Sequence, residues 1–464
     1  MRPCHRNRIA PRSASAIVGA YAVAAILVTT GRTPVLASPT GRSGQETTHR
    51  TEQAYLVPPQ VTLPPAPTLD DYVRVAALRS SALRAAFFRW KAATERAGYV
   101  DALPDPIVSY TRFFEHVETR VGPQNQKLSV RQKLPWVGRR DAREHQALYA
   151  ADAARQQFES ARLALAFRVR AAYADYYYVG REIAITRENF DLVRYWEHVA
   201  EEKYRVALTH HADVIRAQVE LGELEDRVTT LKQMVRPTAA RLRAALSLPD
   251  SVTLPLPAVL HVPETRADRA RMRAQILAHN PDLKSLRDMI DGRRQGVRLA
   301  GKASWPDVTL AFDYVETGPA VMPGIPDSGK DPWSLSVGVN VPLQFGANAQ
   351  KKREASARVL AARYRFEDAR DHLDATIDRV LFEYNDALRK IHLYRDGLVP
   401  KARQSLEANY TSYETGEIDF LNVLDAERTL LDFRLRYERA IADLASRRAE
   451  LEMLGGQELA APEE

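Results

Sequence analysis

The chain has 464 residues, a formal net charge of +7 and an apolar fraction of 45%. Few Gly residues and long Pro-free stretches suit long helices better than compact α/β lobes. No internal run reaches the roughly 18 apolar residues of a spanning helix, so any membrane part must be made of strands. The charges are interspersed rather than clustered, which excludes a nucleic-acid footprint.

At the N-terminus, Arg2, His5, Arg6, Arg8 and Arg12 precede an apolar stretch from Ala14 to Val28, then Val35-Leu36-Ala37 before Ser38. This reads as a secretory signal peptide over residues 1–37, cleaved after Ala37. A single anchor helix fits less well, because the apolar core is short and ends in small residues. The one cysteine, Cys4, lies before that core and so is not a lipobox cysteine; the mature chain is expected to lack thiols and disulfides. Residues 38–67 are polar and Pro/Thr-rich and read as an extended tether. Thr68 with Asp71 marks a helix start, and an Ala/Leu/Arg-rich helix is expected to run to about Ala97.

From there the chain is one unit written twice. Leu128-Ser129-Val130 followed by Pro135 recurs 207 positions later as Leu335-Ser336-Val337 followed by Pro342. Pro104-Asp105 recurs as Pro306-Asp307, and Tyr173, Tyr204, Val214, Ala217 and Leu221 recur 209 positions on as Phe382, Tyr413, Val423, Ala426 and Leu430. A displacement constant within elements and drifting between them marks a duplication with insertions in its loops. The repeats are expected over 68–258 and 259–464, each with a helix, two strands, a long helix and a return helix.

In the first copy, strands are expected over about 106–115 and from Lys127 to Trp136; in the second, over 307–316 and 333–343. Leu128, Val130, Leu134 and Trp136 alternate with Lys127, Ser129, Arg131 and Lys133, and the apolar residues from Trp333 to Leu343 alternate with Ser334, Ser336, Gly338 and Asn340. Each strand has about the 9 to 11 residues that cross a bilayer when tilted, and Trp136 and Trp333 sit where an aromatic girdle belongs. Pattern alone leaves open an ordinary sheet of a soluble sandwich.

Long helices are expected over 139–206 and 347–415, with a local kink at Pro400. At 1.5 Å per residue, each is roughly 100 Å long and needs neighbouring helices to cover its apolar residues. Return helices follow over 212–248 and 419–454.

Four strands cannot stand alone in lipid, because an open sheet leaves two edges of unsatisfied backbone groups. Closure with about twelve strands leaves a lumen, so three chains form the smallest symmetric pore. The expected fold is mostly α with a transmembrane β part: a homotrimeric barrel continuous with a long periplasmic α-helical barrel. Lys127, Arg131, Lys133 and Asn340 would line the outer lumen, with Asp313 offsetting part of the positive charge.

The chain resembles the TolC-type outer-membrane efflux proteins over nearly all of its mature length. The repeat carries the resemblance, together with Gln132-Lys133-Leu134-Pro135-Trp136-Val137-Gly138, Val341-Pro342-Leu343-Gln344-Phe345-Gly346, and Tyr413-x-x-Gly416 leading to Val423-Leu424-Asp425-Ala426-Glu427. The resemblance implies an outer-membrane duct with a periplasmic extension, closed at its helix tips until a periplasmic adaptor protein engages it, and supplied by an inner-membrane, proton-driven pump. It places Tyr413 at a bridging tyrosine and Asp425 at an acidic ring; Asn422 stands where another acid is usual, and Ile418 where a bridging arginine is. Asp213 and Arg216 are the first-copy equivalents, and Arg216 is a candidate partner for Asp425. Three symmetry-related Asp425 carboxylates near an axis would bind cations, as a selectivity constriction does.

His210-His211 at the first turn reads as a solvated pair in preference to a metal site, since no third ligand has suitable spacing. No catalytic motif stands out, and no cofactor is expected. Competing readings are a soluble periplasmic coiled-coil adaptor and a duct for type I protein secretion. The segment Leu134-Pro135-Trp136-x-Gly138-Arg139 looks more like metal- and drug-efflux branches than protein-secretion ones.

Overall fold

Thr68 accepts the amide hydrogen of Asp71 on its hydroxyl at 3.3 Å while the Asp71 carboxylate accepts that of Thr68 at 3.0 Å, a reciprocal cap that starts the first helix. A computed structural model describes residues 55–56, 63–64 and 67–456; the expected signal peptide and most of the tether lie outside them. The elements all belong to the unit that begins at Val61. In the first half they are α1 (Leu69–Arg79), α2 (Ser81–Tyr99), β1 (Ile107–Thr119), β2 (Gly122–Leu134), α3 (Arg139–Arg205) and α4 (His211–Leu246). In the second half they are α5 (Arg269–His279), α6 (Pro281–Gly301), β3 (Val308–Thr317), β4 (Trp333–Val339), α7 (Phe345–His392), α8 (Val399–Thr415) and α9 (Phe420–Gly455). The order of elements repeats.

The single helix expected over 68–97 is broken at Ser80, whose ψ of 113° leaves the helical region and whose hydroxyl caps α2 by accepting from Leu83 N–H at 3.2 Å. Asn280 does the same between α5 and α6, with ψ of 123° and its side-chain oxygen 3.0 Å from Leu283 N; Pro281, which has no amide hydrogen to satisfy, opens α6.

The strands form one antiparallel sheet in the order β1-β2-β3-β4. β1 and β2 are longer at their shared turn than the alternation indicates, because Thr119 pairs directly with Gly122 and the hairpin closes through Arg120-Val121. Gly122 has φ of +133°, and a Cβ there would sit 1.8 Å from the Gly318 carbonyl oxygen, so only glycine lets the loop after β3 close on this turn. Two ends are shorter than expected. β2 stops at Leu134 because Pro135 has no hydrogen to donate, which leaves Trp136 in the turn to α3, and β4 stops at Val339 ahead of Pro342.

Register puts Lys127 opposite Val315, Ser129 opposite Asp313 and Arg131 opposite Ala311. Since facing residues share a face, Lys127, Ser129, Arg131, Lys133, Asp313, Ser334 and Ser336 lie on one side of the sheet. Leu128, Val130, Leu310, Phe312, Trp333, Leu335, Val337 and Val339 lie on the other. Trp333, Leu335 and Val337 are 69%, 69% and 67% exposed, so the β4 part of this apolar side has no cover among the described residues.

α3 is 67 residues long, about 100 Å at 1.5 Å per residue, and packs against α2, α4, α6 and α9. Its counterpart in the second half is continuous but not uniform. The kink expected at Pro400 is met by a π turn over Leu393–Leu398, which absorbs the bond that proline cannot make, so that Pro400 falls in the first turn of α8. Among the described residues no helix is long and apolar enough to cross a membrane.

Candidate functional site: the paired helix tips and the sheet–helix junction

Both helix hairpins end in the same local structure. At the α3–α4 turn, Ala207 N–H bonds Tyr204 O at 2.9 Å and Leu208 N–H bonds Lys203 O at 2.8 Å; at the α8–α9 turn, Gly416 N–H bonds Tyr413 O at 3.2 Å and Glu417 N–H bonds Ser412 O at 2.9 Å. These are Schellman caps, closed by a left-handed residue, Ala207 at φ 59° in one and Gly416 at φ 78° in the other. Glycine takes that conformation freely, whereas alanine does so against its Cβ.

The two tips touch through Lys203, whose ammonium donates to Tyr413 O at 2.9 Å and lies 4.3 Å above the Tyr413 ring. Tyr413 is buried, with its ring centroid 5.1 Å from that of Phe420. Its hydroxyl lies beside Thr209 without a partner in hydrogen-bonding geometry, and burial raises its pKa, with the negative charge of Asp213 adding to the effect. Asp213 is buried as well. Thr209 donates to its carboxylate at 2.5 Å, and the Arg216 guanidinium stands 3.4 Å away.

The structure therefore brings Tyr413, Asp213 and Arg216 into one cluster and adds Lys203 and Thr209, to which no sequence pattern points. Within the chain, Arg216 pairs with Asp213, not with Asp425. Asp425 and Asn422 lie exposed on α9, where Asn422 O accepts from Asn409 Nδ2 at 3.2 Å. Ile418 packs against the apolar core beneath the tips, and His211 lays its ring 5.1 Å from that of Tyr204.

Behind the tips, α9 turns Glu427 into the interior, fully buried and with neither carboxylate oxygen in hydrogen-bonding geometry. Burial pushes its pKa up to about 7, against a nearby Asn189 amide on α3 that favours the charged form; Glu220 on α4 raises it further. Glu220 is itself held by Arg428, whose Nε lies 2.7 Å from the carboxylate.

At the other end of the long helices, Asp307 joins sheet to helix. Its carboxylate accepts from Trp136 N–H at 3.0 Å, pairs with Lys133 at 3.1 Å and meets Arg139 Nη1 at 2.5 Å. Arg139 also reaches Lys302 O at 3.0 Å and Trp305 O at 2.8 Å, and Asn340 accepts the Asp307 amide hydrogen. Lys127 is paired too, with Asp313 at 3.0 Å. Trp136 stacks on Trp305 with centroids 5.0 Å apart and planes 15° from parallel, while Trp333 begins β4 opposite Tyr314 at the far end of the apolar strip.

The family model described as outer membrane efflux protein matches residues 73–247 and again 272–457. The chain belongs to the outer membrane efflux protein family. The two matches fall on the two halves of the repeat. Among curated relatives, nodulation protein T of Rhizobium leguminosarum bv. trifolii is 24% identical over 64% of this chain and 64% of its own length. Outer membrane protein OprJ of Pseudomonas aeruginosa is 24% identical over 62% of this chain and 60% of its own. The matched region thus spans less than two thirds of each relative. The outer membrane protein VceC of Vibrio cholerae shares the fold, with a TM-score of 0.67 at 20% identity, covering 84% of this chain and 96% of that one. As in this family, the protein is an outer-membrane one with a periplasmic helical extension.

Proposed function

We propose that three copies of this chain close into a single duct, about twelve strands in the outer membrane and a helical barrel in the periplasm, which passively conducts substrates outward and catalyses nothing. One observation supports this most: an open four-stranded sheet carries an exposed apolar face on chain segments continuous with helices about 100 Å long. Lipid covers that face only if the sheet edges are paired, and the neighbouring copies pair them. In this reading Trp136 and Trp333 form the aromatic girdle, and Lys127, Arg131, Lys133 and Asn340 line the lumen, with Lys127 and Lys133 largely neutralised by Asp313 and Asp307. Residues 1–37 export the chain, 38–67 tether it, and 68–258 and 259–464 are the two repeats.

The helix tips form the gate, with Asp425 and Asn422 at the constriction and the Tyr413, Asp213 and Arg216 cluster holding the tips shut. A periplasmic adaptor opens them, and a proton-driven pump of the inner membrane supplies the cargo. Metal cations and small toxic molecules are the favoured cargoes, and sensitivity of a deletion strain to copper, zinc and cobalt against dyes and detergents distinguishes them.

Crosslinking of the detergent-extracted protein is expected to give a trimer, and planar bilayers holding it are expected to conduct. Recovery of a monomer from a salt-washed periplasmic fraction without detergent would favour the soluble adaptor and overturn the duct.

A further inference from the structure

Far from the tips, the second half of α4 carries Lys232, Arg236 and Arg243, whose spacings of four and seven residues put them on one side of the helix. After α4 the chain reverses at Ser247, with φ of 55°, and runs back to Leu254, whose carbonyl accepts from the Tyr176 hydroxyl on α3 at 2.8 Å. Between this segment and the helix lies a cavity of about 300 Å³, lined by the three cations together with Asp250, Thr253 and Tyr176 among others.

The charges in it do not balance. Asp250 is the sole acid among the described lining residues, and it stands 3.5 Å from Arg243 Nε with its own side chain 95% exposed, where solvent screens the attraction. The Arg243 side chain is only 12% exposed, and its Nε is out of reach of water with no hydrogen-bond partner. Among the described residues neither Lys232 nor Arg236 forms an ion pair, and both are exposed along the cavity wall. Like charges four residues apart repel, and an anion in the cavity between Lys232 and Arg236 offsets that repulsion.

We propose that this cavity is a binding site for a small anion carrying two or more carboxylate or phosphate groups. Three cations on one wall match more than one negative group, and Arg243 supplies the planar fork that receives a carboxylate or phosphate oxygen pair. The volume lies at the lower end of small-ligand sites.

The test is calorimetric titration of the full-length protein in detergent with citrate and, separately, with pyrophosphate, at constant ionic strength set by sodium chloride. Saturable binding at one site per chain is expected for at least one of the two. Citrate alone would mark a carboxylate ligand, and pyrophosphate alone a phosphate ligand. The double variant Lys232→Gln/Arg236→Gln, at exposed positions that folding tolerates, is expected to weaken binding about 100-fold, at about tenfold for each charge-assisted contact. Arg243→Lys keeps the charge, loses the fork and weakens it about tenfold. Arg363→Gln, an exposed cation on α7, is expected to change nothing. No saturable binding of either anion up to about 10 mM, a concentration at which even feeble sites fill, would overturn the proposal. Equal losses in Arg363→Gln and the cavity variants would overturn it as well, because they would mark diffuse charge rather than a site.

Discussion

Glu427 lies in the motif that carries the family resemblance, yet its position in the interior is visible only in the packed helices, where Asn189 of α3 and Glu220 of α4 lie near it and Arg428 of α9 is committed to Glu220. An unfolded glutamate titrates near 4.3, whereas this one is raised to about 7, so the folded protein holds an extra proton between those values. This residue's contribution to stability is then full below about pH 4.3, falls as pH rises through the window and is gone above about 7, a loss of roughly 4 kcal/mol per chain. Glu427→Gln removes the titration. The variant is expected to melt higher than the parent at pH 8 and to match it near pH 4.5, as followed by circular dichroism of the detergent-solubilised protein; parallel pH profiles would refute the assignment. The family resemblance points to Tyr413 and to Asp213 as a first-copy equivalent, while nothing in the sequence points to Lys203 and Thr209, because their contacts depend on the two tips meeting in space. The three-residue spacing of Asp213 and Arg216 makes them neighbours on one face of α4, and they pair there.

The helices and their boundaries were readable because long stretches lack Gly and Pro and because caps and left-handed residues mark the ends. The break at Ser80 is not, since an Ala/Leu/Arg-rich sequence continues across Ser80-Ser81 and serines are common inside helices. Its counterpart Asn280-Pro281 carries a clearer signal, because a proline opens the second helix there. At two strand ends the apolar alternation outlasts the ladder, since Pro135 and Pro342 limit pairing without disturbing the alternation. The repeat also hides an asymmetry. Asp307 binds Trp136, Lys133 and Arg139 at the base of the sheet, whereas its counterpart Asp105 is exposed and forms no ion pair among the described residues. Asp307→Ala leaves Arg139, which is 13% exposed, without its carboxylate, and is expected to destabilise the chain by about 3 kcal/mol. Asp105→Ala is expected to change stability by no more than about 0.5 kcal/mol. Thermal unfolding of both variants in detergent makes the comparison, and equal effects would deny the junction its anchoring role.

In the proposed trimer, threefold symmetry brings three Asp425 carboxylates toward one axis, where their mutual repulsion attracts cations. Asp425→Ala is expected to raise single-channel conductance or relieve block by divalent cations in planar bilayers, and unchanged values for both would place the narrowest point elsewhere. The two outer edges of the sheet differ in length, 13 residues in β1 and 7 in β4. When the β4 edge of one copy meets β1 of the next, the shorter edge runs out first. The unmatched end of the β1–β2 hairpin has backbone groups that hydrocarbon cannot satisfy, so it stands clear of the bilayer in water. Three such fingers, each clasped at Gly122 by the loop after β3, are then among the parts of the trimer open to an antibody arriving from outside.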